Sequence, residues 1–203
     1  MFKGAIEYIR NNGLTLANKN LNNATDFLFV TDNSFFSETL LTKDPLLHKL
    51  IHNILYRRLF LRALVITRDN IEESSQPNYK EFQDLSQKKI YNYKILRGLA
   101  EKIWQSSGKP CLSEEIWIDV PAFPPTKEVD ETFIKYPSEL KKMSKLFPSN
   151  EWVDMYAFHK WKAHVFCPPE CQKQVSIAAK DVLEQVFKFK LKDIAWKSCH
   201  VSH

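Results

Sequence analysis

Residues 44–67 constrain the fold most strongly, because the spacing of their apolar residues changes once within the stretch. The first half carries apolar residues at helical spacing, namely Leu46, Leu47, Leu50, Ile51, Ile54 and Leu55. Asp44 is a favourable helix N-cap, and Pro45 suits the first helical position, where its missing N–H costs no hydrogen bond. From Phe60 to Ile66 the chain is mostly apolar and ends in β-branched side chains, which favours a strand. The stretch therefore predicts a helix that runs directly into a buried strand.

Arg57, Arg58 and Arg62 lie at the junction between this helix and this strand. One interpretation is structural, because a cation at the C-terminus of a helix complements the helix dipole. The other is ligand binding, since a guanidinium group matches phosphate oxygens with two parallel hydrogen bonds. Successive strand residues face opposite sides, so we do not expect all three arginines to serve one ligand. Both interpretations stay open, and the three arginines are the candidate phosphate-binding residues.

The rest of the chain alternates predicted helices with short predicted strands. We expect helices near residues 2–10, 21–29, 33–42, 79–106 and 152–161, a short one starting at Ser138, and a last one after Pro169. Strands are expected at residues 113–121, 132–136 and 163–167. This order predicts an α+β fold, mostly helical, with a small three- to four-stranded sheet. We expect residues 1–203 to form one domain, helical over 1–58 and built of strand, helix and strand over 59–203.

Composition excludes several classes of protein. With 203 residues, of which 44% are hydrophobic, the chain can bury a sizeable core, and its net charge of +5 indicates an anionic partner only weakly. Its four glycines form neither a P-loop nor a dinucleotide-binding pattern. No apolar run approaches the length needed to span a membrane. Four cysteines in a chain of this size do not resemble a disulfide framework, so a cytoplasmic location is predicted.

A zinc site is conceivable at His164, Cys167 and Cys171, with Cys199 or His200 as a remote fourth ligand. Two of these residues lie three apart on a predicted strand, however, so their side chains should face opposite ways. The two prolines that follow the strand also remove the flexible turn that such sites use. We therefore favour free or buried thiols and predict no metal site in this chain.

Two further patterns resemble functional sites, but we favour a structural explanation for each. His48 and His52 are four residues apart on one helix face, but the glutamate of the H-E-x-x-H metalloprotease pattern is missing. Aromatic and basic residues alternate at residues 160–162 and 187–190, as in proteins that stack on nucleic-acid bases. Core rings flanked by solvated lysines would give the same pattern. No residue is predicted to be catalytic.

Several short motifs follow one another in a distinctive order. Thr31-Asp32 begins a helix, Lys43-Asp44-Pro45 begins the next, and Tyr56-Arg57-Arg58-Leu59-Phe60 leads into the strand. In the second half come Trp152-x3-Tyr156, a strand ending in Val165-Phe166-Cys167, and an alanine-rich helix. This order resembles the region after the catalytic core of HD-superfamily dNTP triphosphohydrolases, in particular the SAM-and-HD-domain type and its bacterial relatives.

The resemblance implies what the chain lacks. Enzymes of this family hold a divalent metal with a histidine, a His-Asp pair and a later aspartate, and this sequence contains no His-Asp dipeptide. The match begins after that HD core, so the core is expected to be absent from the chain. The chain is then expected to be inactive alone and to carry no cofactor, because the metal belongs to the absent core.

The resemblance also implies a regulatory role. The arginine that follows the tyrosine contacts the phosphates of an activating nucleotide in such enzymes, and this position corresponds to Arg57. A lysine commonly assists four positions later, where this chain has Leu61. The hypothesis is a non-catalytic regulatory and oligomerisation region, with a dNTP or GTP effector and a second copy or a separate HD-core chain as partners. The alternative is a stand-alone module that binds nucleic acid or protein, and no membrane partner is expected.

Overall fold

A computed structural model describes residues 1–16, 18–85, 92–122, 132–135, 139–146, 155, 160–197 and 199. The chain divides into two compact units, Met1–Phe60 and Leu61–His203. Helices predominate, and the described strands form a three-stranded and a two-stranded antiparallel sheet. The predicted α+β class is therefore confirmed. The first strand begins at Leu61, close to the point where the apolar spacing changes.

The described part of the first unit contains three α-helices: α1 (Phe2–Asn11), α2 (Asp32–Leu40) and α3 (Pro45–Leu55). The helix predicted at residues 21–29 is instead a 3-10 helix, Ala24–Phe29. Leu21 has a left-handed backbone with φ of 54°, which keeps it out of any helix. The Asp26 carboxylate accepts hydrogen bonds from the backbone N–H groups of Asn22 and Asn23, both at 3.1 Å, and this holds the start of the turn.

Helices α1 and α3 run antiparallel. The Tyr8 hydroxyl donates to Asp44 Oδ2 at 3.0 Å near the start of α3, and the Phe60 N–H contacts Met1 Sδ at 3.2 Å beyond its end. Asp44 caps α3 as predicted, because its Oδ1 accepts from the Leu47 N–H at 2.8 Å. The apolar face of α3 packs into a core whose buried members are Ala5, Ile9, Leu16, Leu21, Phe35, Leu47 and Ile51.

The second unit contains the larger sheet. Strands β1 (Leu61–Ile66) and β2 (Trp117–Asp119) pair on either side of the central β5 (Ala163–Cys167), which matches its predicted bounds. Strands β3 (Phe133–Lys135) and β4 (Leu140–Lys142) form a separate pair. The short helix predicted to begin at Ser138 is wrong over Leu140–Lys142, because these residues pair with β3 instead of bonding locally. Ser138 itself lies outside the described residues.

Five helices complete the described part of this unit: α4 (Gln76–Asp84), α5 (Asn92–Ser106), α6 (Met143–Leu146), α7 (Gln172–Phe187) and α8 (Ile194–Lys197). The helix predicted over residues 79–106 begins earlier, and α4 ends at Asp84. The spacing of the apolar residues predicted one buried face along residues 79–106, but it did not reveal that α4 ends at Asp84. Residues 86–91, and the helix predicted at residues 152–161 apart from Met155, Lys160 and Trp161, lie outside the described residues.

Helices α5 and α7 pack against the larger sheet, and an aromatic cluster lies beside them. Phe82, Trp161, Phe187 and Phe189 are buried, and the Trp161 Nε1 donates to the Pro121 carbonyl at 2.8 Å. The neighbouring lysines, Lys160, Lys188 and Lys190, are exposed. The interpretation of these aromatic residues as core is therefore confirmed, and they offer no stacking surface to nucleic acid.

Candidate functional site

Helix α3 ends in a Schellman motif that carries two of the candidate arginines. Arg57 has a left-handed backbone with φ of 56°. The Arg57 N–H donates to the Ile54 carbonyl at 3.2 Å, and the Arg58 N–H donates to the Asn53 carbonyl at 2.8 Å. These are the two backbone hydrogen bonds that define the motif. The backbone around both arginines is therefore held firmly by the end of the helix.

The side chains of Arg57 and Arg58 are exposed. Neither makes a hydrogen bond or an ion pair with any residue that the structure describes. A residue with a Cβ atom in the left-handed region costs about 1–2 kcal/mol, and glycine normally occupies this position of the motif. Backbone strain of this kind concentrates at functional positions, which makes the Arg57 side chain the stronger candidate of the two.

Arg62 lies in the second unit, on β1 opposite Phe166. A bulge between Arg62 and Leu64 interrupts the strand, so Ala63 and Leu64 are both buried and the simple alternation expected from the sequence fails there. The Arg62 carbonyl accepts a hydrogen bond from Gln172 Nε2 at 2.8 Å. Arg57 and Arg58 thus lie together at one helix end in the first unit. Arg62 belongs to the second unit, where it lies among residues of β5 and α7.

His164 lies on β5 between Asp119 and Val65 of the neighbouring strands. Burial is the main cause that lowers the pKa of its imidazole from 6.5. The charges of Arg62 and Lys162 lower this pKa further, and Asp119 opposes them. Residues 163, 165 and 167 of the strand are buried and His164 is half-buried, so His164 and Cys167 face opposite sides as predicted.

The cysteines form a cluster that differs from the conceivable zinc set. The Cys111, Cys167 and Cys171 thiols lie close enough together to influence one another's pKa values, and the Cys171 Sγ donates to the Pro168 carbonyl at 3.2 Å. The Cys199 thiol contacts the Ala195 carbonyl instead, at 3.7 Å. His200 lies outside the described residues.

The cysteine cluster has the chemistry of a packed core. The four cysteines are thiols and form no disulfides, and burial raises the pKa of Cys167 and of Cys171 to about 12. These thiols are therefore protonated at neutral pH, which makes them poor nucleophiles. Within the described ranges, no three metal-ligating side chains come close enough together to hold an ion. Among the same residues, every helix is too short or too polar to traverse a lipid bilayer.

Comparison with known families identifies the chain. A family model described as "HD associated region" matches residues 1–192. The chain belongs to the HD-associated region family. No curated protein and no solved structure matches it. The match covers the first unit and most of the second. Both units therefore belong to one HD-associated region.

One end of the first unit of this HD-associated region exposes large apolar side chains. Phe2 lies there because α1 and α3 are antiparallel, and Leu55 and Leu59 lie there at the end of α3. The Phe2 and Phe35 rings are 4.6 Å apart, which places the start of α2 at the same end. We call Phe2, Leu55 and Leu59 the apolar end surface.

Sequence reasoning missed a column of rings on α3 of the HD-associated region. The His48 and His52 rings are 6.2 Å apart and nearly parallel, and the Tyr56 ring lies 4.4 Å beyond His52. The repeated spacing of four residues could have revealed this column, because such residues lie on one helix face. The sequence analysis considered only the two histidines, as a possible metal pair. Cys111 was also missed, and no local spacing connects it to Cys171.

Replacing Arg57 with glycine should stabilise the first unit by about 1 kcal/mol, because glycine adopts a left-handed backbone without strain. Arg57→Ala should give no such gain, since alanine keeps the Cβ atom and loses the cation. Urea denaturation of both variants measures the difference. Equal stability of the glycine and alanine variants would show that the backbone of Arg57 is not strained.

The half-buried His164 should make the second unit less stable in mild acid. Its folded pKa lies below the unfolded value of 6.5. The stability that it contributes is therefore fully present above pH 6.5 and is lost as the pH falls through the folded pKa. His164→Gln should reduce the loss of stability between pH 7 and pH 5, measured by urea denaturation. An unchanged pH dependence in His164→Gln would contradict the assignment.

Proposed function

We propose that this HD-associated region is the non-catalytic, regulatory region of a dNTP triphosphohydrolase-like HD protein. It packs against an HD domain, and Arg57 binds a phosphate of a dNTP or GTP effector. The observation that carries the proposal is the family match over residues 1–192, whose description names the HD domain as the associated part. The motif order that resembles the region after the HD core of such enzymes supports the narrower assignment.

The apolar end surface supports packing against an HD domain. Leu59 is 53% exposed and Phe2 is 45% exposed, although both are large apolar side chains. Burying apolar surface contributes about 25 cal/mol per Å², so covering several such residues would stabilise a complex appreciably. Clusters of exposed apolar residues commonly mark protein interfaces. The occupant that we propose is the HD domain, supplied either by a separate HD-core chain or within an oligomer of HD proteins.

The end of α3 supports the phosphate contact. The Arg57 guanidinium is exposed, its backbone is held by the Schellman motif, and Arg58 adds a second cation beside it. A guanidinium group binds phosphate oxygens through two charge-assisted hydrogen bonds. Leu61 stands where the resembled enzymes carry a lysine. One cationic contact is therefore missing, and we expect weaker binding than in a site that has that lysine.

Titration calorimetry with dGTP and with dATP tests the phosphate contact. Arg57→Gly should weaken binding by about tenfold to a hundredfold, because a hydrogen bond to a charged group contributes roughly 1.5–3 kcal/mol. Lys188→Gly is the matched control, since Lys188 also has a left-handed backbone, with φ of 57°, at the end of α7. It should leave binding unchanged.

Two outcomes would contradict the proposal. If the wild-type chain shows no heat with millimolar nucleotide, Arg57 does not bind an effector and the dipole interpretation stands. If the purified chain releases triphosphate from dGTP in the presence of a divalent metal, and substitutions within the chain abolish that release, the region is catalytic after all.

A further inference from the structure

The ring column on α3 leads directly to the arginine pair. His48, His52 and Tyr56 are spaced by four residues and follow one side of the helix, and Tyr56 is its C-cap residue. Arg57 and Arg58 come next in the chain. The column therefore ends beside Arg57, the residue to which the proposed function assigns a phosphate ligand.

Tyr56 is the accessible end of this column. It is 66% exposed, although an aromatic ring is the kind of side chain that folding normally buries. The His52 ring lies 4.4 Å from it with an angle of 35° between the two planes. A half-buried ring thus supports an exposed ring, which limits the orientations that Tyr56 can adopt. A supported, exposed ring is the arrangement that proteins use to stack on nucleobases.

We propose that Tyr56, supported by His52, stacks against the base of a nucleotide whose phosphates are bound at Arg57. This inference rests on the proposed function, because it assigns a base-binding role at the same helix end. A nucleotide carries an aromatic base at one end and phosphates at the other. The chain offers an aromatic ring and a guanidinium group on consecutive residues, and both are exposed. The ligand class is therefore a nucleotide rather than inorganic phosphate alone.

Calorimetry with dGTP and with inorganic triphosphate separates the two contacts in the full chain. We expect the wild type to bind dGTP about tenfold to a hundredfold more tightly than triphosphate, the range expected for stacking of one base. Tyr56→Leu should remove this difference and leave triphosphate binding unchanged. Tyr56→Phe keeps the ring and should bind dGTP like the wild type. Thermal denaturation of each variant confirms that it is folded.

A second measurement reports stacking directly. The triphosphate of 2-aminopurine deoxyriboside fluoresces less when its base stacks on an aromatic ring. We expect quenching with the wild type and with Tyr56→Phe, and none with Tyr56→Leu. Full quenching by Tyr56→Leu would overturn the inference.

The outcomes also distinguish this inference from the proposed function. If triphosphate binds in a manner that depends on Arg57, but dGTP binds no more tightly, the base contact is overturned and the phosphate contact stands. If Tyr56→Leu binds dGTP like the wild type, the base contact is again overturned, and Tyr56 belongs with the neighbouring apolar end surface. If neither ligand binds the wild type, both the base contact and the phosphate contact are overturned.

Discussion

Phe82→Ala should lower the free energy of unfolding of the second unit by about 3–5 kcal/mol, the largest effect that we expect from any single substitution. Phe82 is fully buried. Its ring lies 5.1 Å from the Phe187 ring, 5.8 Å from Phe189 and 6.3 Å from Trp161. Truncation removes these contacts and leaves a cavity between α4 and the end of α7. Urea denaturation followed by far-UV circular dichroism measures the loss.

Phe133→Ala is the matched control for this substitution. The change of side chain is identical, but Phe133 is 56% exposed on the edge of the β3–β4 pair. We expect a change within about 0.5 kcal/mol, as for most surface positions. If the two variants lost equal stability, the aromatic cluster would not be the core of the second unit.

Asp44→Ala should lower the free energy of unfolding of the first unit by about 2–3 kcal/mol, because one carboxylate makes two contacts. Asp44 Oδ1 accepts from the Leu47 N–H and caps α3, and Oδ2 accepts from the Tyr8 hydroxyl of α1. Removal of the carboxylate therefore frees the start of α3 and also separates it from α1. Urea denaturation, followed by a signal that reports the unfolding of the first unit, measures the combined effect.

A double-mutant cycle divides this effect between the two contacts. Tyr8→Phe removes only the hydroxyl, so it should cost less than Asp44→Ala and should cost almost nothing once Asp44 is alanine. The difference between these two values is the coupling energy between Tyr8 and Asp44. A coupling energy of zero would show that the hydroxyl does not contribute to the packing of α1 against α3.

Local rules were sufficient for elements whose signals lie within a few neighbouring residues. Asp44 and Pro45 predicted the start of α3, because capping involves only the first turn of a helix. The run from Ala163 to Cys167 predicted β5 at its observed bounds. The choice of core over stacking surface for Trp161 and Phe189 was also correct. Apolar content and spacing determine such features, and both can be read from a single sequence.

Several features of the candidate site could not be predicted from the sequence and were revealed only by the structure. The sequence places Arg57 at a helix end, but only the hydrogen bonds to Asn53 and Ile54 show the left-handed backbone that makes it strained. Arg62 was grouped with it by proximity in the chain, yet the boundary after Phe60 assigns it to a different unit. In the sequence Tyr56 is only one residue of a short motif, and the 4.4 Å contact with His52 in the structure shows that its ring is supported.

The sequence by itself determined the α+β class, the apolar faces of the helices and the helix-to-strand transition at residues 44–67, because these depend on the spacing of neighbouring residues. Only the tertiary structure brought Cys111 to Cys171, paired β4 with β3, and ended α4 at Asp84. Each of these depends on a partner distant in the chain or on a choice between two local structures of similar energy. Packing against the rest of the fold decides such choices, and the pattern of apolar residues alone does not contain that information.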